Sequence, residues 1–232
     1  FAVFVGTAFP DTPLPKGTFV GMPLRTQITD LADSSDADRA GRCARARADL
    51  GLDTDRPTLL VSGGSQGAVA INDAVVAARD TLLADGVQIL HVVGPKNIKG
   101  NTKIVDETTG AAWLPVGYVD DMASAYAAAD LMVARSGAGT VVETATVGLP
   151  TIYVPLPHGN GEQARNATSA VDAGAGVVVT NAELDAQRLL AETARIHDAD
   201  ALARMSAAGR GLMPAHAAEE MAARVISATN SK

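Results

Sequence analysis

The chain reads as an α/β protein built on a doubly wound, Rossmann-like parallel sheet of six strands. Three observations predict this. From Pro57 onward, short runs that are apolar throughout, at 58–62, 87–93, 112–116, 131–134, 151–154 and 176–180, alternate with helix-forming segments near 67–83, 120–128, 138–147, 160–173 and 183–196. Strands without polar alternation are buried on both faces, the habit of parallel sheets covered on both sides by crossover helices. Glycine-rich turns follow the first and fourth of these strands, which in the order 3-2-1-4-5-6 are neighbours at the topological switch point, so both turns open on one crevice.

The elements follow in order. Residues 1–5 are apolar and strand-like, and Pro10, Pro13, Pro15 and Gly17 then forbid regular structure for about ten residues. Residues 18–21 are a second extended run, and Met22-Pro23-Leu24-Arg25 is a turn carrying a cation. Residues 36–50, rich in Ala and Arg and stopped by Gly51, form a surface helix. In the alternating region the crossover 94–110 has the poorest helical pattern. Helical runs at 199–208, stopped by Gly209, and at 215–228 close the chain.

Composition limits the function classes. At 232 residues the chain is one large domain, or one with an appendage, and can bury a real core. Its 47% hydrophobic content contains no unbroken apolar stretch of the ~18–20 residues a membrane span needs, which predicts a soluble chain. A net charge of −7 argues against a nucleic-acid partner, and no basic cluster awaits lipid head groups. Cys43 is the single cysteine, so no internal disulfide forms; it reads as a small residue on a surface helix. The start at Phe1 and the lack of a signal-peptide pattern predict a piece of something longer.

The candidate chemistry gathers at the two turns. The stretch Arg135-Ser-Gly-Ala-Gly-Thr140 lies between a strand and a helix, so the amides around Ala138, Gly139 and Thr140 and the helix N-terminus are aimed at one point, an arrangement suited to a phosphate. Glu143, near the end of the second turn, reaches beside that anion to a polar ligand group. Gln163 and Asn166, beyond Pro155-Leu-Pro157, bring neutral hydrogen-bonding groups to the same edge. Gly63-Gly-Ser-Gln-Gly-Ala68 lacks the G-x-G-x-x-G spacing, and no acid closes the strand at Val92-Val93, which disfavours a nicotinamide enzyme. The segment Tyr118-Val119-Asp120-Asp121-Met122 passes the crevice. Tyr118, Val119 and Met122 either sandwich a flat base or are core at a strand end, and Asp120 and Asp121 cap the next helix rather than bind metal. His158 reads as a hydrogen-bonding loop residue. No catalytic triad, Cys/His metal spacing or D-x-D motif is present. Phosphate, hydroxyl and amide groups together suggest a sugar nucleotide, with no cofactor and no metal.

These residues together resemble the C-terminal, donor-binding domain of the bacterial peptidoglycan N-acetylglucosaminyltransferases, which have the two-domain GT-B fold. The resemblance covers nearly the whole chain. It rests on Gly21-Met-Pro-Leu-Arg25, Gly63-Gly-Ser-Gln-Gly-Ala68, Tyr118-Val-Asp-Asp-Met122, Arg135-Ser-Gly-Ala-Gly-Thr140 with Glu143, and Gly148-Leu-Pro150 followed by Glu162-Gln163 and Asn166. It implies transfer, with inversion, of N-acetylglucosamine from its uridine-diphosphate donor to a lipid-linked muramyl-pentapeptide on the cytoplasmic face of the membrane. It further implies that Tyr118, Val119 and Met122 hold uracil, that Glu143 binds the ribose, that Arg25, Ser65 and the amides of Ala138, Gly139 and Thr140 meet the diphosphate, that Gln163 meets the sugar, and that Gln66 is among the substrate-binding residues. On this reading residues 1–28 are the remnant of an N-terminal domain and a linker, residues 29–232 are the donor domain, and acceptor site, membrane contact and catalytic base belong to the other half. The chain alone is then expected to bind donor without transferring it. A sugar-nucleotide binding module, or an epimerase of similar architecture, is the alternative. The family pattern often has two glutamines where this chain has Glu162-Gln163, and a leucine in place of Gly139.

Overall fold

The structure is a computed structural model that describes residues 4–64, 68–158 and 160–230. Its main sheet has seven strands: β3 (Thr58–Ser62), β4 (Gln88–Val92), β5 (Ile104–Val105), β6 (Ala112–Val116), β7 (Leu131–Ala134), β8 (Thr151–Tyr153) and β9 (Gly176–Val178). They lie in the order β5-β6-β4-β3-β7-β8-β9. Without β5 this is the expected 3-2-1-4-5-6, parallel throughout. The seventh strand corrects the expected count. The crossover 94–110 forms no helix; within it, the two residues of β5 pair antiparallel along the edge of β6.

Apolar residues run unbroken along the strands because each strand feeds two cores. Leu59, Val61, Ile89, Trp113, Leu131 and Val133 pack on one face with Ile71 and Val75 of α3 (Val69–Ala84) and Leu189 of α7 (Ala186–Thr193). Leu60, Leu90, Val92, Met132 and Ala134 pack on the other, against Ile28 and Leu31 of α1 (Thr26–Ala32) and Ala123, Ala125 and Tyr126 of α4 (Met122–Ala128). Each fully buried Leu, Ile or Val contributes roughly 1.5–3 kcal/mol. A one-residue slip would exchange the two faces, so packing fixes the register.

Helix α2 (Asp36–Asp49) lies on the α4 side, followed along the chain by α5 (Ala138–Val147), α6 (Glu162–Asp172), the 3-10 turn Ala194–His197, α8 (Ala199–Gly209) and α9 (Ala217–Asn230). Helix α5 fills its expected span because glycines bracket it: Gly137 is the N-cap, and Gly148 closes it in the left-handed conformation at φ 72°. Helix α1 was not expected. Its seven residues bury only Ile28 and Leu31, one turn apart, too short a pattern to announce itself.

The N-terminal segment makes a separate two-stranded parallel pairing of β1 (Val5–Thr7) with β2 (Gly17–Phe19). Phe9, Phe19, Met22 and Leu24 pack beside Val142 and Ala145 of α5 and Met213, which carries Arg25 to the edge of the main sheet.

Candidate functional site

The two glycine-rich turns leave the sheet side by side. Ser62, the last residue of β3, is in register with Ala134, the last of β7, and the Arg135 N–H donates to the Ser62 carbonyl at 3.3 Å. Gly64, at φ 85°, turns the chain in a conformation that L side chains rarely adopt. Ser65, Gln66 and Gly67 lie outside the described residues. On the other turn, the first intrahelical bond of α5 runs from Val141 N to the Gly137 carbonyl at 3.0 Å, and the Gly137 side of the cap offers no side-chain acceptor. The amides of Ala138, Gly139 and Thr140 therefore precede the helical ladder and, with the helix dipole, present positive potential.

A cleft of about 200 Å³ opens at this point, lined by Arg25, Ser62, Gly64, Val92, Tyr118, Val119, Met122, Tyr126, Met132, Thr140 and Glu143. Six side chains singled out in the sequence, from three separate segments, thus meet in one place. Tyr118 is 61% exposed, so it is a lip rather than core, while Val119 and Met122 are half-buried against the α4-side core. Asp121 caps α4, accepting from the Ser124 amide at 3.2 Å and hydroxyl at 2.6 Å; those bonds, the hydroxyl's first, hold its carboxyl below the usual range. Larger hollows lie elsewhere. One of about 320 Å³ is lined by Arg39, Cys43 and Leu149, and one of about 660 Å³ by Phe19, His216 and Glu219, but neither adjoins the glycine turns.

Glu143 is the most engaged group of the cleft. Arg25 Nη2 donates to its Oε1 at 3.2 Å, and the Tyr126 hydroxyl donates to its Oε2 at 2.7 Å. Tyr126 escaped the sequence reading, since a tyrosine among alanines on a short helix looks like core; only the packing of α4 beside the cleft shows where its hydroxyl points.

Other expected groups have different tasks. The Gln163 Oε1 accepts from the Leu156 amide at 3.0 Å, so this side chain braces the loop after β8 and keeps its amide N–H groups for other partners; it does not line the cleft. Asn166 donates to the Ser136 carbonyl at 3.1 Å, tying α6 to the glycine-rich turn. Arg135 is spent on the Val154 and Pro155 carbonyls, at 3.0 and 3.1 Å, and on Asn181 Oδ1 at 2.8 Å, and burial lowers its pKa. It fixes the ends of three strands rather than facing a ligand. His158 is exposed and does not line the cleft. Ser136 Oγ, beneath the turn, is buried and has no hydrogen-bond partner among the described residues.

Residues 58–224 match the family model of the glycosyltransferase family 28 C-terminal domain. The chain belongs to that family. It is 87% identical, over 231 residues and all of its length, to the UDP-N-acetylglucosamine–N-acetylmuramyl-(pentapeptide) pyrophosphoryl-undecaprenol N-acetylglucosamine transferase of Cutibacterium acnes. The protein of the same name from Nocardioides sp. is 48% identical over 227 residues, 97% of this chain. The chain spans 62% and 60% of the lengths of these two relatives. Among solved structures it is similar to MurG of Acinetobacter baumannii, at 26% identity and a TM-score of 0.70 over 90% of this chain and 56% of that one. The family 28 domain thus has the parallel sheet and flanking helices of a GT-B C-terminal half. Among the described residues, no helix is long and apolar enough to cross a membrane, and no group of three or more His, Cys, Asp and Glu side chains is placed to hold a metal ion.

Proposed function

We propose that this family 28 domain binds UDP-N-acetylglucosamine and presents it for inverting transfer to undecaprenyl-pyrophosphoryl-MurNAc-pentapeptide. The observation that carries the reading is the single cleft in which a cation, an exposed aromatic ring, a carboxylate and a helix N-terminus converge. Uracil lies against Tyr118, Val119 and Met122, the ribose diol meets Glu143, and the diphosphate faces Arg25, Ser65 and the amides of Ala138, Gly139 and Thr140, with Gln66 also among the substrate-binding residues. Gln163 offers its amide N–H to the sugar. A cleft of about 200 Å³ is below the ~300–1,000 Å³ of whole-ligand pockets, so it takes the nucleoside while diphosphate and sugar run out along the turns.

Chemistry follows from that placement. As the glycosidic bond breaks, negative charge grows on the leaving diphosphate. Arg25 and preoriented amides stabilise that charge more in the transition state than in the bound donor. Deprotonation of the acceptor hydroxyl must come from the opposite face of the sugar. We assign that base, the acceptor site and a peripheral contact with the cytoplasmic face of the membrane to the length that the relatives have beyond this chain. In the same reading, residues 1–28 join the two halves and 29–232 form the donor domain, and the net charge of −7 leaves nucleic acid out as a partner.

Titration calorimetry of this chain tests the reading. Uridine diphosphate is expected to bind and adenosine diphosphate to bind much more weakly, and Glu143→Ala should weaken uridine diphosphate by roughly 1–3 kcal/mol without unfolding the protein. Equal affinity for the two nucleotides would reduce the site to generic phosphate binding.

A further inference from the structure

The Tyr126–Glu143 contact extends this reading and rests on its assignment of Glu143 to the ligand's vicinal hydroxyls. We propose that Tyr126 is a positioning residue: its hydroxyl fixes the Glu143 carboxylate in the orientation that receives both hydroxyls of the ribose.

The carboxylate has two holders of unequal firmness. The Arg25 side chain is 52% exposed and reaches Oε1 from a chain segment at the rim, so it holds loosely. Tyr126 is 5% exposed, packed in the α4-side core with Ile28, Leu31 and Met132, and its hydroxyl sits 2.7 Å from Oε2. A phenol seated in a packed core has little freedom to follow a moving partner, so the carboxylate conforms to the tyrosine. Burial, and then the neighbouring carboxylate, push the Tyr126 pKa upward, which keeps the hydroxyl a donor throughout the working pH range. Each carboxylate oxygen has room for about two hydrogen bonds. With one position on each oxygen taken from within the protein, one on each remains, and two acceptors on one planar group suit two neighbouring hydroxyls. Glu143 itself lies on α5 and its holder on α4, so the packing of two helices on one sheet face determines how a sugar is read.

The test is a comparison of two ligands on four proteins: uridine diphosphate and its 2′,3′-dideoxy analogue, titrated into wild type, Tyr126→Phe, Glu143→Ala and the double variant. Tyr126→Phe is expected to weaken uridine diphosphate about tenfold, as loss of a bond to a charged group does, and to leave the dideoxy analogue within twofold of wild type. In the Glu143→Ala background it should add nothing. Wild-type binding of uridine diphosphate by Tyr126→Phe, equal weakening of both ligands, or an additive loss in the double variant would each overturn the positioning role while leaving the Glu143 assignment standing. Wild-type binding by Glu143→Ala would instead remove the assignment on which the proposal rests. A thermal melt without ligand accompanies each variant. If Tyr126→Phe does not fold, Tyr126→Met, which fills the space with no donor, takes its place under the same criteria.

Discussion

The two ends of the main sheet treat their polar groups in different ways. At the amino-terminal ends of the strands, the Arg47, Asp130 and Gln88 side chains are each held by several partners, although Thr146 Oγ1 on the last turn of α5 has none among the described residues. Arg47 donates to the Ala128 and Thr54 carbonyls, each at 2.9 Å, and to Asp130 Oδ2 at 2.7 Å, and Asp130 also accepts from the Thr58 amide at 2.7 Å. Gln88 accepts from the Asp53 amide and donates to the Asp53 carbonyl and the Thr58 hydroxyl. At the carboxyl ends Arg135 is as fully engaged, but Arg25 and Tyr118 face outward and the first amides of α5 precede the ladder. Hydrogen bonds at the first end hold helices to strands. Those missing from the second are what a ligand can complete, so stability and binding are separable by position.

Breaking the amino-terminal end should give the largest effect. Asp130→Ala leaves the buried Arg47 guanidinium and the Thr58 amide without their carboxylate; because Asp130 is one-third exposed and Arg47 keeps two carbonyl partners, the loss stands at the lower end of what breaking a buried pair costs, about 3 kcal/mol. Urea unfolding is expected to show that loss, with uridine diphosphate affinity of the folded fraction unchanged. A large affinity loss at full stability would mean the two ends are coupled.

His91 sharpens where the boundary lies. It is fully buried one residue before Val92, which lines the cleft, but the strand turns it to the opposite face. Trp113 Nε1 donates to its Nδ1 at 3.2 Å and Asn72 Oδ1 lies 3.1 Å from its Nε2, so the neutral ring protonated on Nε2 satisfies both contacts. Burial lowers its pKa to about 4. Above the ordinary value of 6.5 the ring is neutral in both states and its stabilising contribution is complete. Between 6.5 and about 4 the unfolded chain takes up a proton that the folded one does not, and on the order of 3 kcal/mol is lost. Unfolding free energies of wild type should therefore fall more steeply with acidification over this range than those of His91→Gln. Parallel curves would show that the interior of the sheet solvates the imidazolium.

How much of this was legible in the sequence divides along the same line. The strands were, because burial on both faces demands unbroken apolar runs, and α5 was, because Gly137 and Gly148 bracket it. The cleft side chains Arg25, Tyr118, Val119, Met122, Thr140 and Glu143 were read from motifs, and the switch-point topology explains why segments so far apart meet. What sequence did not disclose depends on pairing across the fold. Helix α1 is stabilised by docking two residues rather than by its own propensity. Two residues of β5 leave no periodicity. Arg47 and Arg135 look like surface charges until their carbonyl partners, from distant segments, are brought to them. Tyr126 belongs with these, since its partner is 17 residues away on another helix.

The smallest expected effect asks whether the open end is open for a ligand or merely unfilled. Gly139 stands in the first turn of α5, in a conformation available to any residue, and a Cβ added there meets nothing within 4 Å. Gly64 on the facing turn has the same free space but a φ of 85°, so only there does the backbone itself require glycine. Gly139→Ala should therefore stabilise the protein by about 0.4–1 kcal/mol, by restricting the unfolded chain at no cost to the folded one. Uridine diphosphate affinity is expected to stay unchanged, because the amide that faces the phosphate is untouched and the resemblance places a leucine at this position in related chains. A tenfold loss of affinity at higher stability would show instead that the phosphate approaches the backbone within the space of a methyl group. Glycine would then be required at 139 by the ligand, where at Gly64 it is required by the backbone.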